Sequence, residues 1–257
     1  MQHLFFSDVH LGAFRIDKNH KLEQELIALI RYCTEHNIQI HILGDLFDYW
    51  MEYPGYTPPL GWKLLSYLKD YNKSCNGATF ITGNHDYWTR GHFQDLGCLV
   101  EREFLELNIE EQSIFLLHGD GLEDRRFNFP RPVLNRFLRN RTFISLFQKI
   151  FSGETANHLM KTFSELTRDE LDLEPERISN WAKEMLKNHS YDYIISGHDH
   201  VPRVETFTGG WYINTGAFYK SKTAALYNNN RFELVTWNSK ECVFKPFDEN
   251  RKNIALQ

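Results

Sequence analysis

Cysteine is scarce in this sequence, and long apolar runs are absent. The 257 residues include four cysteines, at positions 33, 75, 98 and 242, and none of them forms a Cys-x-x-Cys pair. The spacing indicates neither a zinc knuckle nor a disulfide framework, so reduced, buried thiols are expected. Because no run of about 18 apolar residues occurs, no segment is expected to span a membrane.

The sequence also has no excess of positive charge. Its 34 acidic residues outnumber its 29 basic residues, which gives a net charge of −5, and this balance argues against nucleic acid as a partner. We find no internal repeat and no low-complexity tract. An apolar content of 42% and an aromatic content of 15% are typical of a folded protein with one sizeable core.

Five short polar signatures are the most informative feature that the sequence does contain. In chain order they are DVH at 8–10, GDLFD at 44–48, GNHD at 83–86, HGD at 118–120 and GHDH at 197–200. Asp, Asn and His bind borderline and hard divalent cations, and glycine suits a backbone that turns sharply. Because the first signature begins at residue 8, no signal peptide is expected before it, and a cytoplasmic location is expected.

Each signature follows a short apolar run that is typical of a buried strand. The runs lie at residues 4–6, 38–43, 78–82, 113–117 and 191–196; they are rich in β-branched and aromatic residues. Loops at the carboxyl ends of such strands converge on one edge of a sheet. A single Asp or His there is often only a cap or turn former, but five in series favour a metal site. The seven other histidines are expected to be ordinary surface or core residues.

The remaining periodicity predicts an α/β fold with two packed sheets and helices outside them. Residues 21–36 have apolar side chains at helical spacing, and residues 61–71 are typical of a shorter helix. After the last signature, four strands are predicted, at 204–207, 211–214, 224–227 and 232–237.

Residues 122–189 interrupt this pattern with helical material that is too long for a simple crossover. We therefore expect a core made of residues 1–121 and 190–257, with a helical lid inserted in the same domain at 122–189. Within residues 125–150 there are seven basic residues and no acid. Six of the seven are arginines, whose planar guanidinium groups bind phosphate oxygens in a bidentate manner.

The same basic stretch is apolar at helical intervals, as at Phe137, Leu138 and Phe147. A basic, aromatic-rich amphipathic helix is typical of a membrane-surface element or of a lid over a hydrophobic ligand. The alternative is an ordinary helix that packs its apolar face on the core and leaves its arginines in water.

The order of the five signatures resembles the calcineurin-like metallophosphoesterase superfamily, from residue 3 to about residue 237. The resemblance implies a four-layer α-β-β-α sandwich and two divalent metal ions, with one ion held by Asp8, His10, Asp45 and His200. It implies that the second ion is held by Asp45, Asn84, His118 and His198. Asp45 would bridge them, and one carboxylate can span two cations about 3.5 to 4 Å apart.

Such cations would bind two phosphate oxygens, offset the charge of the transition state and present hydroxide in line with the leaving oxygen. His85 directly follows a predicted ligand, so its ring is expected to point into the same cavity and to donate a hydrogen bond or proton to the phosphate. Asp48 is expected to keep that ring charged, because a nearby carboxylate raises the pKa of an imidazole. The alternative for Asp48 is an acid at a helix N-terminus.

Within the superfamily, the sequence is most similar to the UDP-2,3-diacylglucosamine pyrophosphatases of lipid A synthesis. The shared segments are GDLFDYW at 44–50, HGDGL at 118–122, GHDHVP at 197–202 and YINTG at 212–216, together with the basic insertion. That family cleaves a UDP-sugar carrying two acyl chains into UMP and an acylated sugar phosphate, normally with Mn²⁺. The resemblance therefore implies Mn²⁺, an acylated UDP-sugar substrate and peripheral contact with the cytoplasmic face of the inner membrane.

Two features differ from that family. Many members have Arg where this chain has His85, and the insertion has no obvious match to the family's nucleotide-contacting positions. The residues expected to contact the substrate, by charge, proximity or apolarity, are Arg125, Arg126, Arg131, Arg136, Phe137, Leu138 and Phe147. A broader metal-dependent phosphodiesterase or phosphatase, acting on nucleotides or other phospholipids, is the second hypothesis. The third is a catalytically silent binding scaffold, which should have lost ligands, whereas all seven predicted ligands are present.

Overall fold

The structure is a computed structural model that describes residues 1–167 and 175–248. Over these residues, two β-sheets pack face to face and helices cover their outer faces. The predicted α/β class is therefore confirmed.

The first sheet has seven strands within the described residues. In spatial order they are β12 (Val243–Pro246), β11 (Arg231–Asn238), β10 (Thr223–Asn228), β1 (His3–Phe6), β2 (Gln39–Leu43), β3 (Thr79–Ile81) and β4 (Leu99–Glu101). Strands β1 to β4 run parallel, and β10 to β12 are antiparallel. At the centre, Phe5 lies opposite His41 on one side and Ala225 on the other.

The second sheet has five strands in the described part of the chain. In spatial order they are β5 (Phe104–Ile109), β6 (Gln112–Leu117), β7 (Tyr193–Ser196), β9 (Gly210–Asn214) and β8 (Arg203–Phe207). The three inner strands are parallel, whereas the edge strands β5 and β8 pair antiparallel. The carboxyl ends of β6 and β7 thus lie at the same edge.

The described residues form eight α-helices. They are α1 (Ile16–Glu35), α2 (Trp62–Ser74), α3 (His92–Asp95), α4 (Val133–Leu138), α5 (Arg141–Ile150), α6 (Gly153–Thr167), α7 (Pro175–Asn188) and α8 (Phe218–Ser221). None of the helices in these residues combines the length and the apolarity that crossing a bilayer requires.

Alternation along the strands builds the layers. On β1, Phe5 faces the second sheet, while Leu4 and Phe6 face α1 and α2. On β6, Ile114 faces the first sheet, whereas Phe115 faces the opposite way and packs against α7. Because side chains alternate across a strand, the order of layers is helix, sheet, sheet, helix.

Helix α7 belongs to this layered core by its contacts, although it lies inside the segment predicted as a lid. Its residues Ile178, Trp181 and Met185 are buried against the second sheet. Helices α4 to α6, which we call the lid helices, lie apart from this core: α5 and α6 pack around a smaller apolar cluster, and α4 contacts α5 through Phe137 and Phe143. That cluster includes Met51 and Trp88 from the loops after β2 and β3, so the lid helices lie beside the loops that carry the polar signatures.

Candidate metal centre

The seven predicted ligands lie on loops that leave five strands of the two sheets. Asp8 and His10 follow β1, Asp45 follows β2, Asn84 follows β3, His118 follows β6, and His198 and His200 follow β7. The parallel strands end at a common edge, and the structure brings these side chains together there in two adjoining groups.

The first group consists of Asp8, His10 and His200, whose potential ligand atoms all lie within 4.8 Å of one another. Asp8 Oδ1 is 3.3 Å from His200 Nε2 and 3.8 Å from His10 Nε2. The two imidazole Nε2 atoms are 3.3 Å apart. Three donor atoms thus converge on one point.

The second group consists of Asp45, His118 and His198, with Asn84 beside them. His118 Nε2 is 3.3 Å from Asp45 Oδ2 and 3.1 Å from Asn84 Oδ1. Asp45 Oδ2 is also 3.8 Å from His10 Nε2 in the first group. A single carboxylate oxygen therefore faces both groups, as a bridging ligand must.

The electrostatics of both groups favour a cation. Burial opposes protonation of His10, but the carboxylates of Asp48, Asp8 and Asp45 outweigh it and raise its pKa to about 10. Burial likewise opposes protonation of His118, and Asp45 and Asp8 still raise its pKa to about 10. Among the described residues, Asp8 Oδ1 is buried without a hydrogen bond of ordinary geometry. Two carboxylates, one amide and four imidazoles form a donor set that suits Mn, Fe, Co or Zn, so the residues fit two divalent ions.

Hydrogen bonds on the far side of the rings aim the histidines into the site. His118 Nδ1 lies 2.8 Å from the carbonyl oxygen of Leu43, to which it donates. His10 Nδ1 lies 3.1 Å from Asp48 Oδ1. Since each Nδ1 is occupied, each Nε2 is left for the centre of the site, the arrangement that outer partners of metal-binding histidines usually impose.

Backbone strain is concentrated at the predicted ligands. Five of the seven have positive φ: Asp8 (51°), His10 (48°), Asp45 (53°), His198 (74°) and His200 (60°). Residues with a Cβ enter this left-handed region at a cost of about 1–2 kcal/mol each. The surrounding hydrogen bonds hold these strained turns, and the turns point the side chains inward.

Two glycines allow the loops to approach each other. A Cβ on Gly83 would lie 2.0 Å from Asp45 Oδ1, and a Cβ on Gly197 would lie 2.0 Å from Ser7 Oγ and 2.3 Å from Asp8 Oδ2. The backbone amide of His198 donates to Asp8 Oδ2 at 2.8 Å. Any larger residue at either glycine would separate the ligand-bearing loops.

The proposed acid His85 lies at the mouth of the site, with 19% of its side chain exposed. Its Nδ1 lies 2.7 Å from the backbone oxygen of Asp48 and 4.0 Å from Asp48 Oδ1. Its ring is edge-on to that of His10, with centroids 4.8 Å apart. The Asp48 carboxylate therefore contacts His10 more closely than it contacts His85.

Two polar residues near the site were not found from the sequence. Ser164 on α6 donates from Oγ to Asp48 Oδ2 at 2.7 Å. Glu52 is 4% exposed and accepts five hydrogen bonds, from side chains and backbone amides between Trp50 and His92. A serine inside a helix carries no local signal, and Glu52 follows the second signature by only four residues but lies outside its pattern.

The predicted substrate-binding arginines have different environments. Arg131 is 7% exposed; its guanidinium lies 2.6 Å from Glu103 Oε1 and 3.5 Å from Asp120 Oδ2. Arg126 is exposed and binds the neighbouring carboxylate of Asp124. The charges of these two arginines are therefore already compensated. Arg125 and Arg136 are exposed.

The apolar residues of the lid helices that were predicted to contact the substrate also have different environments. Phe147 packs edge-on against Trp88 with centroids 5.4 Å apart, so it helps to hold α5 on the core. The carbonyl of Leu138 accepts a hydrogen bond from Trp88 Nε1 at 2.9 Å. Phe137 is 54% exposed and packs at a tilt against Phe143, with ring centroids 4.2 Å apart, which leaves about half of its side chain available to a ligand.

A model of the calcineurin-like phosphoesterase family matches residues 1–202. UDP-2,3-diacylglucosamine hydrolase of Wigglesworthia glossinidia brevipalpis is 23% identical over 252 residues, which cover 96% of this chain and 98% of that protein. The protein of the same name from Porphyromonas gingivalis is 27% identical over 217 residues, covering 77% and 82%. Among solved structures, an archaeal phosphodiesterase matches with 14% identity and a TM-score of 0.46, over 91% of this chain and 98% of that one.

Proposed function

The chain belongs to the calcineurin-like phosphoesterase family, and we propose that it cleaves the pyrophosphate of UDP-2,3-diacylglucosamine to UMP and acylated glucosamine 1-phosphate. Metal-dependent hydrolysis is the activity that the family and the relatives support. The position of Asp45 Oδ2, 3.3 Å from His118 Nε2 and 3.8 Å from His10 Nε2, is the observation that carries the dimetal part of the proposal. The relatives' names and the basic, apolar lid helices support the assignment of the substrate.

In this proposal, Asp8, His10 and His200 would hold one divalent ion, and Asn84, His118 and His198 would hold the other, with Asp45 available to both groups. Two such ions, which we expect to be Mn²⁺, would supply Lewis-acid charge and activate water as a nucleophile at neutral pH. The protein contributes the fixed separation of the two groups and the orientation of each imidazole, which cost no reorganisation during the reaction.

His85 is proposed to donate a hydrogen bond or a proton to the phosphate. Its ring is held by the Asp48 backbone oxygen at 2.7 Å, so Nε2 is free to point towards the mouth of the site. Asp48 then has two roles: it orients His10 directly, and its carboxylate lies 4.0 Å from His85 Nδ1. Proton transfer by a positioned side chain contributes about 10²- to 10⁴-fold to rates.

The lid helices are proposed to receive the acyl chains. Several of their apolar side chains are exposed, among them Leu134 at 47%, Phe137 at 54% and Leu146 at 57%. Exposed apolar side chains that lie close together often mark a ligand or membrane contact. Together with the acid-free basic stretch at 125–150, it supports peripheral contact with the anionic cytoplasmic face of the inner membrane.

Product identification tests the proposal. The purified protein is incubated with the acylated UDP-sugar and Mn²⁺, and UMP is expected as the nucleotide product, with no inorganic phosphate. Asp45→Ala is the control that should abolish release. Release of inorganic phosphate, or no cleavage by protein that still hydrolyses a chromogenic phosphodiester, would refute the assignment of the substrate.

The acyl contact has its own test. Phe137→Gln should reduce cleavage of the acylated UDP-sugar strongly and cleavage of a small chromogenic diester little, because only the former reaches the exposed ring. Trp211→Gln, at a residue 43% exposed on β9, is the matched control and should change neither rate. Equal losses on both substrates in the Phe137 variant would remove the lid helices from acyl recognition.

A broader phosphodiesterase or phosphatase is the second candidate. It is favoured by His85, which stands where many members of the lipid A family have Arg and which suits proton donation to varied leaving groups. Comparable rates on the acylated UDP-sugar, on simple nucleotides and on other phospholipids would support it over the first.

A further inference from the structure

His200 lacks the kind of hydrogen bond that orients two of the other predicted ligands. Nδ1 of His10 lies beside a carboxylate oxygen of Asp48, and Nδ1 of His118 lies beside the carbonyl oxygen of Leu43. The side chain of His200 is 22% exposed, and its polar contacts are made through Nε2. Its Nδ1 has no protein partner within residues 1–167 and 175–248. Hydrogen bonds to these residues therefore do not fix the plane of this imidazole, and the rings packed against it become important.

The ring of Tyr219 packs against both imidazoles of the first group. Its centroid is 5.7 Å from that of His200 and 5.7 Å from that of His10, with an interplanar angle of 86° in each pair. The two imidazole centroids are 5.2 Å apart, at an angle of 78°. The three rings thus form a closed triangle of edge-to-face contacts, a geometry that aromatic pairs prefer. Rotation of either imidazole would disturb two of these contacts.

Tyr219 is itself attached to the loop that carries two of the ligands. Its backbone amide donates to the carbonyl oxygen of Asp8 at 3.3 Å, and the amide of Phe218 donates to the carbonyl oxygen of Ser7 at 3.2 Å. The ring of Phe14 packs at a tilt against that of Tyr219, with centroids 5.1 Å apart. Because main chain and side chain are both held, the Tyr219 ring has a fixed position relative to the loop after β1.

The second group of ligands is packed differently. The aromatic partners of Tyr219 that the structure describes are His10, Phe14 and His200. His118 instead packs edge-on against His198, with centroids 5.0 Å apart. Loss of the Tyr219 ring should therefore affect the first group of ligands and leave the second group in place.

We propose that Tyr219 is a positioning residue for the first metal ion, whose ring holds the imidazoles of His10 and His200 with both Nε2 atoms facing that ion. The inference rests on the proposed function only in requiring the two ions. Loss of an outer partner of a ligand histidine typically costs about 10- to 100-fold in metal affinity. We expect a loss of this size for the first ion alone.

Binding of Mn²⁺ to the metal-free protein, measured by isothermal titration calorimetry, tests the proposal. His118→Ala removes a ligand of the second group, and His200→Ala removes a ligand of the first, so each background reports on one ion. Tyr219→Leu, Tyr219→Met and Tyr219→Phe are introduced into both backgrounds and into the unmodified protein. Leu and Met are apolar but have no aromatic ring, whereas Phe keeps the ring and lacks only the hydroxyl.

Tyr32→Leu is the matched control. Tyr32 is also a half-buried tyrosine and lies on α1. Its ring packs against those of Trp237 and Phe244, with centroids 5.2 and 5.5 Å away. No predicted ligand is among the aromatic partners of Tyr32 in the described part of the chain. The control thus removes a packed ring and should leave both Mn²⁺ affinities unchanged.

In the His118→Ala background, Tyr219→Leu and Tyr219→Met should weaken Mn²⁺ binding by about 10- to 100-fold, and Tyr219→Phe should retain the affinity of the background. In the His200→Ala background, none of the three should change the affinity. Three results would overturn the proposal. They are an unchanged first site in both non-aromatic variants, an equal loss in the Phe and Leu variants, and equal weakening of both sites, which would indicate a general loosening of the fold.

Failure of this inference can be told apart from failure of the proposed function. If the unmodified protein binds two Mn²⁺ ions and its Tyr219→Leu variant binds them equally tightly, only the role of Tyr219 fails. If the unmodified protein binds no Mn²⁺, the metal centre and the role of Tyr219 fail together. Selective weakening of the first ion supports the role of Tyr219 whether or not the acylated UDP-sugar is cleaved.

Discussion

Replacing Glu52 by Gln should strongly destabilise the protein, although the two side chains have the same size. Glu52 Oε1 accepts hydrogen bonds from Trp50 Nε1 and Thr89 Oγ1, both at 2.8 Å. Its Oε2 accepts from the backbone amides of Arg90, Gly91 and His92, at 2.7, 3.0 and 3.3 Å. The carboxylate thereby ties the loop after β2 to the loop after β3.

In the variant, an amide NH₂ group must replace one of these oxygens. Because this group is itself a donor, it cannot accept the hydrogen bonds of the donors that face it. Two or three hydrogen bonds to a charged acceptor are lost, each contributing about 1.5–3 kcal/mol, and water recovers part of the loss at the exposed Arg90. We therefore expect the free energy of unfolding to fall by about 3–5 kcal/mol.

Urea unfolding at pH 7, followed by tryptophan fluorescence, measures this change. Glu35→Gln, at an exposed position on α1, is the matched control and should change the free energy by less than about 0.5 kcal/mol. A loss below about 1 kcal/mol in Glu52→Gln would show that the five hydrogen bonds do not hold the two loops.

Three further predictions concern histidines. His85→Ala should lower turnover of a chromogenic diester by about 10²- to 10⁴-fold with unchanged metal content by mass spectrometry; normal turnover would exclude His85 from the mechanism. Burial, with a smaller contribution from the charge of His3, lowers the pKa of His41 to about 3, whereas an unfolded imidazole titrates near 6.5. The unfolded chain therefore binds more protons between these values, so acidification from pH 7 to pH 5 should cost up to about 2 kcal/mol through this group. As the pH is lowered, the urea midpoint of His41→Gln should accordingly fall less than that of the unmodified protein. Equal declines in the two proteins would show that His41 does not cause the loss of stability. His200→Asn should raise the stability of the metal-free protein by about 1 kcal/mol, since Asn tolerates the φ of 60° better, and should lower its metal content; a less stable metal-free variant would contradict the strain argument.

The sequence indicated those parts of the fold that have a local pattern. The strands β1, β2, β6 and β7 are buried apolar runs, and each starts or ends within two residues of its predicted position. Strand β4 was not predicted, because it is three residues long and Leu99 is 54% exposed. Strand β5 alternates in exposure and could have been found by its period of two.

Long-range contacts account for what the sequence did not indicate. Ser164 lies 116 residues from Asp48, and no spacing rule connects a helical serine to a particular carboxylate. Arg131 was grouped with the other basic residues by its charge and its proximity in sequence, but Glu103 and Asp120 bind it in the folded chain. The apolar residues Ile178, Trp181 and Met185 of α7 have helical spacing, but the sheet that covers them is apparent only in the fold.

The left-handed backbone at five predicted ligands has an evolutionary consequence. Replacing such a residue by Gly relaxes the main chain while it removes a metal ligand from the set. Mutational drift away from this chemistry would thus run towards greater stability, and many single substitutions would suffice. A lineage freed from selection for turnover would therefore be expected to lose these residues early.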